Sequence, residues 1–217
     1  YLKARISSTI LATGMNIELE QDYTGVNMSY NFITDVVSFD AKRLVEAAAE
    51  FSSNIPLEVY INTMTLHELG HALDRSALQA SLPRTIDFFE MRNEYSSCEI
   101  YSTQSLLTMI IEEHTMNIAF EETAWVNARK LNNTLQLVDI DTFEKIMPET
   151  LDALERYLAN GSVKGIGPAT AQKIIKEFKL EINKAPIEYS NLQTSIFFMS
   201  PFSLQQKRIN EKIPLPS

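Results

Sequence analysis

The residues best suited to chemistry lie in one short segment, Thr65–Asp74, which reads Thr-Leu-His-Glu-Leu-Gly-His-Ala-Leu-Asp. His67 and His71 are four residues apart, so on a helix both imidazoles lie on one face and can reach a single metal ion. Glu68 is close enough to accept a proton from a water molecule on that metal and to pass it to a leaving amine. The segment therefore predicts a zinc (Zn2+) site with Glu68 as the catalytic base. Two plainer interpretations are a histidine pair that only makes hydrogen bonds, and metal binding without catalysis.

A catalytic zinc site usually has three protein ligands and keeps its fourth position for water. The candidates for the third ligand lie in the segment Ile111–Trp125. Alternate steps of four and three along this segment give an apolar helical seam that only His114 and Glu121 interrupt. An acid in an apolar seam needs a partner, so Glu121 is the first candidate. Glu113 and His114 are the alternatives, although a buried histidine that does not bind the metal is the preferred interpretation of His114.

Periodicity predicts the elements that must position these residues. Helices are expected over 2–13, 41–51, 56–82 and 101–131, and strands over 16–20, 26–30 and 35–39. Asp40 is expected to cap the second helix, and Pro56 to open the third, which carries both histidines. Pro83 is expected to end that helix. A further helical stretch is expected after residues 139–141.

Length and composition limit the broad class of the protein. A chain of 217 residues with 45% hydrophobic residues can bury one core and carry a small appendage. The sequence contains no apolar run long enough to span a bilayer, so we expect no membrane role. The single cysteine, Cys98, cannot form an internal disulfide, which suits a reducing compartment, and the cytoplasm is the expected location.

The charge is unevenly distributed along the chain. Residues 1–148 contain 21 acidic and 10 basic residues, whereas residues 149–217 contain 7 acidic and 9 basic ones. This asymmetry indicates two regions with different partners. We therefore divide the sequence into an acidic domain over 1–148 that holds the chemistry, a helical module over 149–183, and an irregular tail over 184–217.

The histidine motif and a later acidic motif together resemble a known family. His-Glu-Leu-Gly-His at 67–71 is followed by Glu-Glu-Thr-Ala-Trp at 121–125. This combination resembles the gluzincin branch of the zincin metallopeptidases, and most closely the small ImmA/IrrE-like or minimal-gluzincin peptidases. The resemblance implies that the two histidines and Glu121 bind Zn2+, with a small residue, Ala124, three positions after the third ligand.

The sequence departs from the family pattern in two places. Trp125 stands where many members carry Asn or Asp, a requirement that Glu113 with Asn117 would satisfy instead. The separation of 50 residues between the second histidine and Glu121 is long for the family. An insertion around residues 83–105 is therefore expected to fold outside the core.

The resemblance covers roughly residues 15–131 and also implies a fold. It implies an α+β zincin-like metallopeptidase core, in which a small, mostly antiparallel sheet lies beside the active-site helix and the glutamate helix. A helical C-terminal extension follows. The edge strand of the sheet, assigned to Val36–Phe39, would pair with an extended substrate.

A second motif lies in the C-terminal region. The segment Val163–Ile175 resembles the helix-hairpin-helix of DNA-processing proteins. Gly165 and Gly167 would let the hairpin backbone donate N–H groups to a phosphate. Lys164 and Lys173 would add an attraction to the DNA backbone that does not depend on base sequence. DNA is therefore a candidate partner, and a packing or protein-binding role for the hairpin is the alternative.

Together these features predict a zinc metalloendopeptidase that hydrolyses peptide bonds of a protein substrate by Glu-assisted attack of zinc-bound water. The alternative from another class is a non-catalytic, regulatory or DNA-associated binding protein that keeps the zincin scaffold. Glu68 favours the enzyme, because a purely structural metal has no use for that carboxylate.

Overall fold

The computed structural model of the protein describes residues 1–51 and 55–147. In chain order these residues form α1 (Leu2–Thr13), β1 (Glu18–Asp22), β2 (Met28–Asn31), β3 (Val36–Asp40), α2 (Ala41–Ala49), α3 (Leu57–Leu73), α4 (Arg75–Glu94), α5 (Ser97–Ser102) and α6 (Gln104–Leu135). Helical backbone resumes over residues 140–147. The combination of helices with a small sheet confirms the α+β class.

The predicted C-terminal regions lie outside the described residues. This applies to the helix-hairpin-helix module over 149–183, including Lys164, Gly165, Gly167 and Lys173, and to the tail over 184–217. The DNA-binding interpretation of these residues stays a prediction.

The three described strands form one mixed sheet in the order β1-β3-β2. β1 pairs with β3 in parallel, and β2 pairs with β3 in antiparallel fashion. The prediction of a mostly antiparallel sheet is therefore wrong, because the chain returns from β2 into a strand that runs alongside β1. The assignment of Val36–Phe39 to the sheet edge is also wrong. β3 is the central strand and all five of its residues are buried, as is typical of a strand covered on both faces.

Asp40 connects the sheet to the first helix that follows it. Its carboxylate accepts hydrogen bonds from the backbone N–H groups of Lys42 and Arg43 at 3.0 and 3.1 Å, which confirms the predicted cap of α2. The second carboxylate oxygen accepts the N–H of Gly25 at 3.0 Å. Asp40 thus holds the β1–β2 connection and the start of α2 together.

The helix that carries the histidines ends earlier than predicted. It begins after Pro56, as expected, but α3 stops at Leu73, and Asp74 leaves the helical conformation with φ −102° and ψ 17°. The Asp74 carbonyl then accepts the N–H groups of Ala77 and Leu78, which starts α4 as a separate helix. Pro83 lies inside α4 rather than ending a helix, although an interior proline removes one N–H from the helical ladder and its ring crowds a carbonyl of the preceding turn.

α3 is the central helix of its part of the chain. Every residue from Tyr60 to His71 is buried, and α1, α2 and β2 all contact this helix. Asn62 illustrates how α3 is held: its side-chain oxygen accepts hydrogen bonds from Arg5 and Thr9 of α1, at 2.9 and 3.1 Å. A helix buried on every side gives its polar side chains fixed surroundings with little water.

The described residues fall into two compact units, 1–81 with 120–147, and 82–119. The second unit, which contains the predicted insertion around 83–105, has a core of Met91, Ile100 and Ile110. The histidine motif belongs to the first unit. Within the described part of the chain, no helix has the length and apolar character needed to cross a membrane.

Candidate metal centre

The centre of the first unit contains three buried titratable side chains on one helix. His67, Glu68 and His71 expose only 1, 3 and 3% of their surfaces. Burying such groups costs free energy unless each finds a charged or hydrogen-bonding partner. Their burial together therefore identifies α3 as the place where the first unit concentrates its polar chemistry.

Glu121 of α6 joins the two histidines. Its Oε2 lies 3.1 Å from His67 Nε2 and its Oε1 lies 3.4 Å from His71 Nε2. One ligand atom from each of these three residues lies within 4.8 Å of the others. The two imidazole rings have centroids 4.8 Å apart and are nearly perpendicular, so they are not stacked on each other. The structure thus brings the first-ranked candidate from the sequence into a buried group compatible with one metal ion.

A close approach of two helix backbones places Glu121 at this position. A Cβ atom added to Gly70 would lie 2.1 Å from the carbonyl oxygen of Ala124, so only glycine fits there. Asn127 reinforces the contact, because its side-chain amide donates to the Gly70 carbonyl at 3.2 Å. Gly70, between the two histidines, therefore lets α3 touch the backbone of α6 at Ala124.

The alternative third ligands have other surroundings. Glu113, in the second unit, pairs with Arg92, with a distance of 3.0 Å between its Oε2 and Arg92 Nε. Burial lowers the pKa of His114, and the nearby charge of Arg92 lowers it further against the opposing effect of Glu113. Among the described residues, the group able to hold a metal contains Glu121 and neither of these two.

The two buried carboxylates of the site have pKa values displaced in opposite directions. For Glu68 burial is the main cause and raises the pKa, a rise that the two histidines oppose and the charge of Glu121 reinforces. For Glu121 burial also acts upward, but the charges and hydrogen bonds of His71 and His67 outweigh it and hold the pKa well below its usual range. A positive charge beside Glu121, carried by protonated histidines or by a metal ion, therefore favours its anionic form, and Glu68 is suited to accept a proton.

The surroundings of Glu68 fit a proton acceptor. Its carboxylate accepts a hydrogen bond from the backbone N–H of Tyr30 in β2, while its Oε2 is buried without a hydrogen-bond partner among the described residues. A buried oxygen of this kind needs a donor other than the described residues, such as a water molecule or a substrate group. Two imidazole nitrogens, a carboxylate and an adjacent unpaired acceptor are a donor set that fits Zn2+.

Trp125 contributes a contact that the sequence analysis missed. Its indole packs against the imidazole of His67, with ring centroids 4.3 Å apart and planes inclined by 37°. The indole also meets Phe143 edge-on, at 5.9 Å between centroids. The sequence did contain a signal for this contact, because Trp125 lies one turn after Glu121 in the same apolar seam. Trp125 was interpreted only as a departure from the family pattern.

Arg75 fixes the turn between β2 and β3 to the helical side of the site. Its guanidinium donates to the Phe32 carbonyl at 2.8 Å and forms an ion pair with Asp35 at 2.6 Å. The hydroxyl of Tyr30 donates to the other oxygen of Asp35 at 2.7 Å. β2 has only β3 as a partner among the described strands and contacts α3, so β2 is the strand that borders the site.

Asp74 contributes only at a distance. Burial lowers the pKa of His71. The charge of Glu121 outweighs this effect and raises the pKa, and the charge of Asp74 raises it by a smaller amount.

In comparisons with protein-family models, curated proteins and solved structures, the chain has no match.

Proposed function

We propose that the protein is a zinc-dependent metallopeptidase of the gluzincin type. The proposal depends on one observation. Glu121, fifty residues after His71 in the sequence, lies beside both histidines of a buried His-Glu-Leu-Gly-His helix. Each residue then has one role. His67, His71 and Glu121 hold Zn2+, and Glu68 is the general base.

The chemistry follows from the positions of these groups. A bound zinc ion supplies Lewis acidity, which activates water and polarises the carbonyl of the bond to be cleaved. Glu68 accepts a proton from the attacking water as the water oxygen bonds to the carbonyl carbon. The carbon–nitrogen bond then breaks, and Glu68 returns the proton to the leaving amine. Burial raises the pKa of Glu68, which makes its carboxylate a stronger proton acceptor.

The substrate class is a protein or peptide in extended conformation. β2 is the strand that lies against the active-site helix, and its backbone reaches Glu68 at Tyr30. An extended peptide that pairs with β2, whose outer edge has no strand partner among the described residues, would lie beside the catalytic carboxylate. β2 therefore replaces the strand assigned from the sequence, because β3 has a partner on both sides.

The non-catalytic alternative, a binding or regulatory protein on the same scaffold, has no use for Glu68. A metal held only for structure needs ligands, whereas Glu68 is an additional buried acid, and one of its oxygens has no hydrogen-bond partner among the described residues. The cost of burying that acid is explained when it takes part in proton transfer.

The test combines metal content with hydrolysis. Elemental mass spectrometry should find about one zinc per chain in wild type and in Glu68→Gln, and little in Glu121→Ala. Glu113→Ala is the matched control, since it removes an acid of the same helix that pairs with Arg92, and it should keep the metal. Hydrolysis of an unstructured protein such as casein should be lost in both Glu68→Gln and Glu121→Ala.

The outcomes separate the two functions. Metal bound through Glu121 with no peptidase activity above that of Glu68→Gln would favour the binding protein. Absence of metal in wild type, even after zinc is supplied to the chelator-free protein, would exclude the peptidase.

A further inference from the structure

α6 contributes a second side chain to the metal centre, one helical turn after Glu121. Trp125 is 3% exposed and places its indole 4.3 Å from the imidazole of His67. Its Nε1 has no hydrogen-bond partner among the described residues. The indole is therefore held by the packing of its ring faces and edges, and a polar bond of its N–H plays no visible part.

A ligand imidazole must be held at a fixed angle if its nitrogen is to point at a metal. Metal sites commonly achieve this by groups around the ligand, and loss of such a group typically weakens metal binding by about 10–100-fold. His67 Nε2 faces Glu121 at 3.1 Å, so any rotation of the imidazole would move this nitrogen away from the group of ligand atoms. The indole covers the imidazole and restricts that rotation.

We propose that Trp125 is a positioning residue for His67, acting through ring packing. The proposal rests on the proposed function, since it assigns Trp125 to the same metal site. The proposal also assigns a role at the same site to each of three residues in the segment Glu121–Trp125. Glu121 is the ligand, the backbone of Ala124 contacts Gly70, and Trp125 holds His67 in place.

The first test measures zinc affinity of the metal-free protein by competition with a chromophoric chelator. Trp125→Leu removes the aromatic face and is expected to lower the affinity by about 10–100-fold. Trp125→Phe keeps a ring and lacks the N–H, so it should bind zinc nearly as wild type does. Phe88→Leu, which changes a fully buried aromatic of the second unit, is the control for general loss of packing and should leave the affinity unchanged.

Each variant result decides the inference. A folded Trp125→Leu protein that binds zinc as wild type does would overturn it and leave the metallopeptidase proposal standing. Failure of Trp125→Phe to restore affinity would also overturn it, because an aromatic ring at this position would then not be enough to position His67. An equal loss in Phe88→Leu would show that the effect is not local. Wild type without any zinc affinity would remove the inference and the proposed function together.

A second measurement needs no variant at the tryptophan. Trp125 is the only tryptophan of the chain, so its fluorescence reports on this position alone. Addition of Co2+, a paramagnetic ion, to the metal-free protein should quench that emission strongly, and Glu121→Gln should reduce the quenching at the same concentration. Wild-type emission that does not respond while chelator competition shows the ion bound would overturn the contact with a metal ligand.

Discussion

The contact between Gly70 and Ala124 allows a quantitative prediction. In Gly70→Ala the added methyl group would start 2.1 Å from the Ala124 carbonyl oxygen, whereas ordinary contact begins at 3.4 Å. The two backbones must therefore separate by roughly 1 Å, as expected for overpacking at a rigid contact. Replacing Ala124 with glycine would not relieve the clash, because the obstructing atom belongs to the backbone.

This separation acts directly on the proposed ligand set. Glu121 is one turn before Ala124 on α6, so its carboxylate moves away from His67 and His71 with the helix. Metal–ligand distances tolerate only about 0.2 Å. We expect the zinc affinity of Gly70→Ala to fall at least about tenfold, the lower end of what loss of support for a ligand costs.

The effect on folding should be smaller than the effect on binding. Overpacking destabilises by about 1–3 kcal/mol, but alanine in a helix gains up to about 1 kcal/mol over glycine. The net loss in the free energy of unfolding of the metal-free protein should be about 0–2 kcal/mol, measured by urea denaturation. Zinc affinity is measured in parallel by chelator competition.

The matched control is Leu73→Ala, near the end of the same helix, where the side chain is 51% exposed. This variant should bind zinc as wild type does. Unchanged zinc affinity in Gly70→Ala would refute the reasoning, since the helices could then part without moving the ligand. A loss of affinity matched by a similar loss in the control would show that α3 is sensitive to any change.

The remaining predictions concern groups that hold the first unit together, and urea denaturation of the metal-free protein measures all of them. Asp40→Ala should lower the free energy of unfolding by about 1 kcal/mol through loss of the helix cap. Burial raises the pKa of Asp40, but three backbone N–H donors outweigh this effect and hold the pKa below its usual 3.8. The carboxylate therefore stabilises the fold above pH 3.8, and this stabilisation is lost as the pH falls through the pKa of the folded state. Wild type and variant should converge in stability at that lower pH. Arg75→Met should destabilise by about 1–2 kcal/mol through loss of its bonds to the β2–β3 turn, with Arg75→Lys intermediate. Asn132→Ala should cost about 2–3 kcal/mol, because the side-chain amide pairs with both the N–H and the carbonyl of Val138; a loss below that for Arg75→Met would contradict this ranking.

The sequence was informative where a chemical requirement interrupts a regular pattern. Two histidines and an acid on one helix defined the metal-binding face, and an acid in an apolar seam could be buried only with a partner. That second argument selected Glu121 without knowledge of the fold, and the structure brings Glu121 to both histidines. Asp40, which precedes a run of helix-forming residues, was similarly decisive as a cap.

Other features were set by tertiary contacts that leave no local signal. Pro83 is a helix breaker by propensity, yet α4 continues through it, and the actual break at Asp74 has no proline or glycine. Leu73, the last residue of α3, is exposed, whereas every residue from Tyr60 to His71 is buried. The place of β3 at the centre of the sheet depends on pairing with β1, which periodicity does not encode.

The seam of α6 shows how far such an interruption can be interpreted. His114 and Glu121 are two turns apart in one seam, and each has to be reconciled with an apolar environment. An imidazole can do so by staying neutral, and burial lowers the pKa of His114 accordingly. A carboxylate that is to remain charged needs cations or a metal, and Glu121 finds the two histidines. An interrupted seam therefore predicts that a residue must be neutral or partnered, and the chemistry of the side chain decides which. That is why the acid, rather than the third histidine of the chain, is the residue that lies beside His67 and His71.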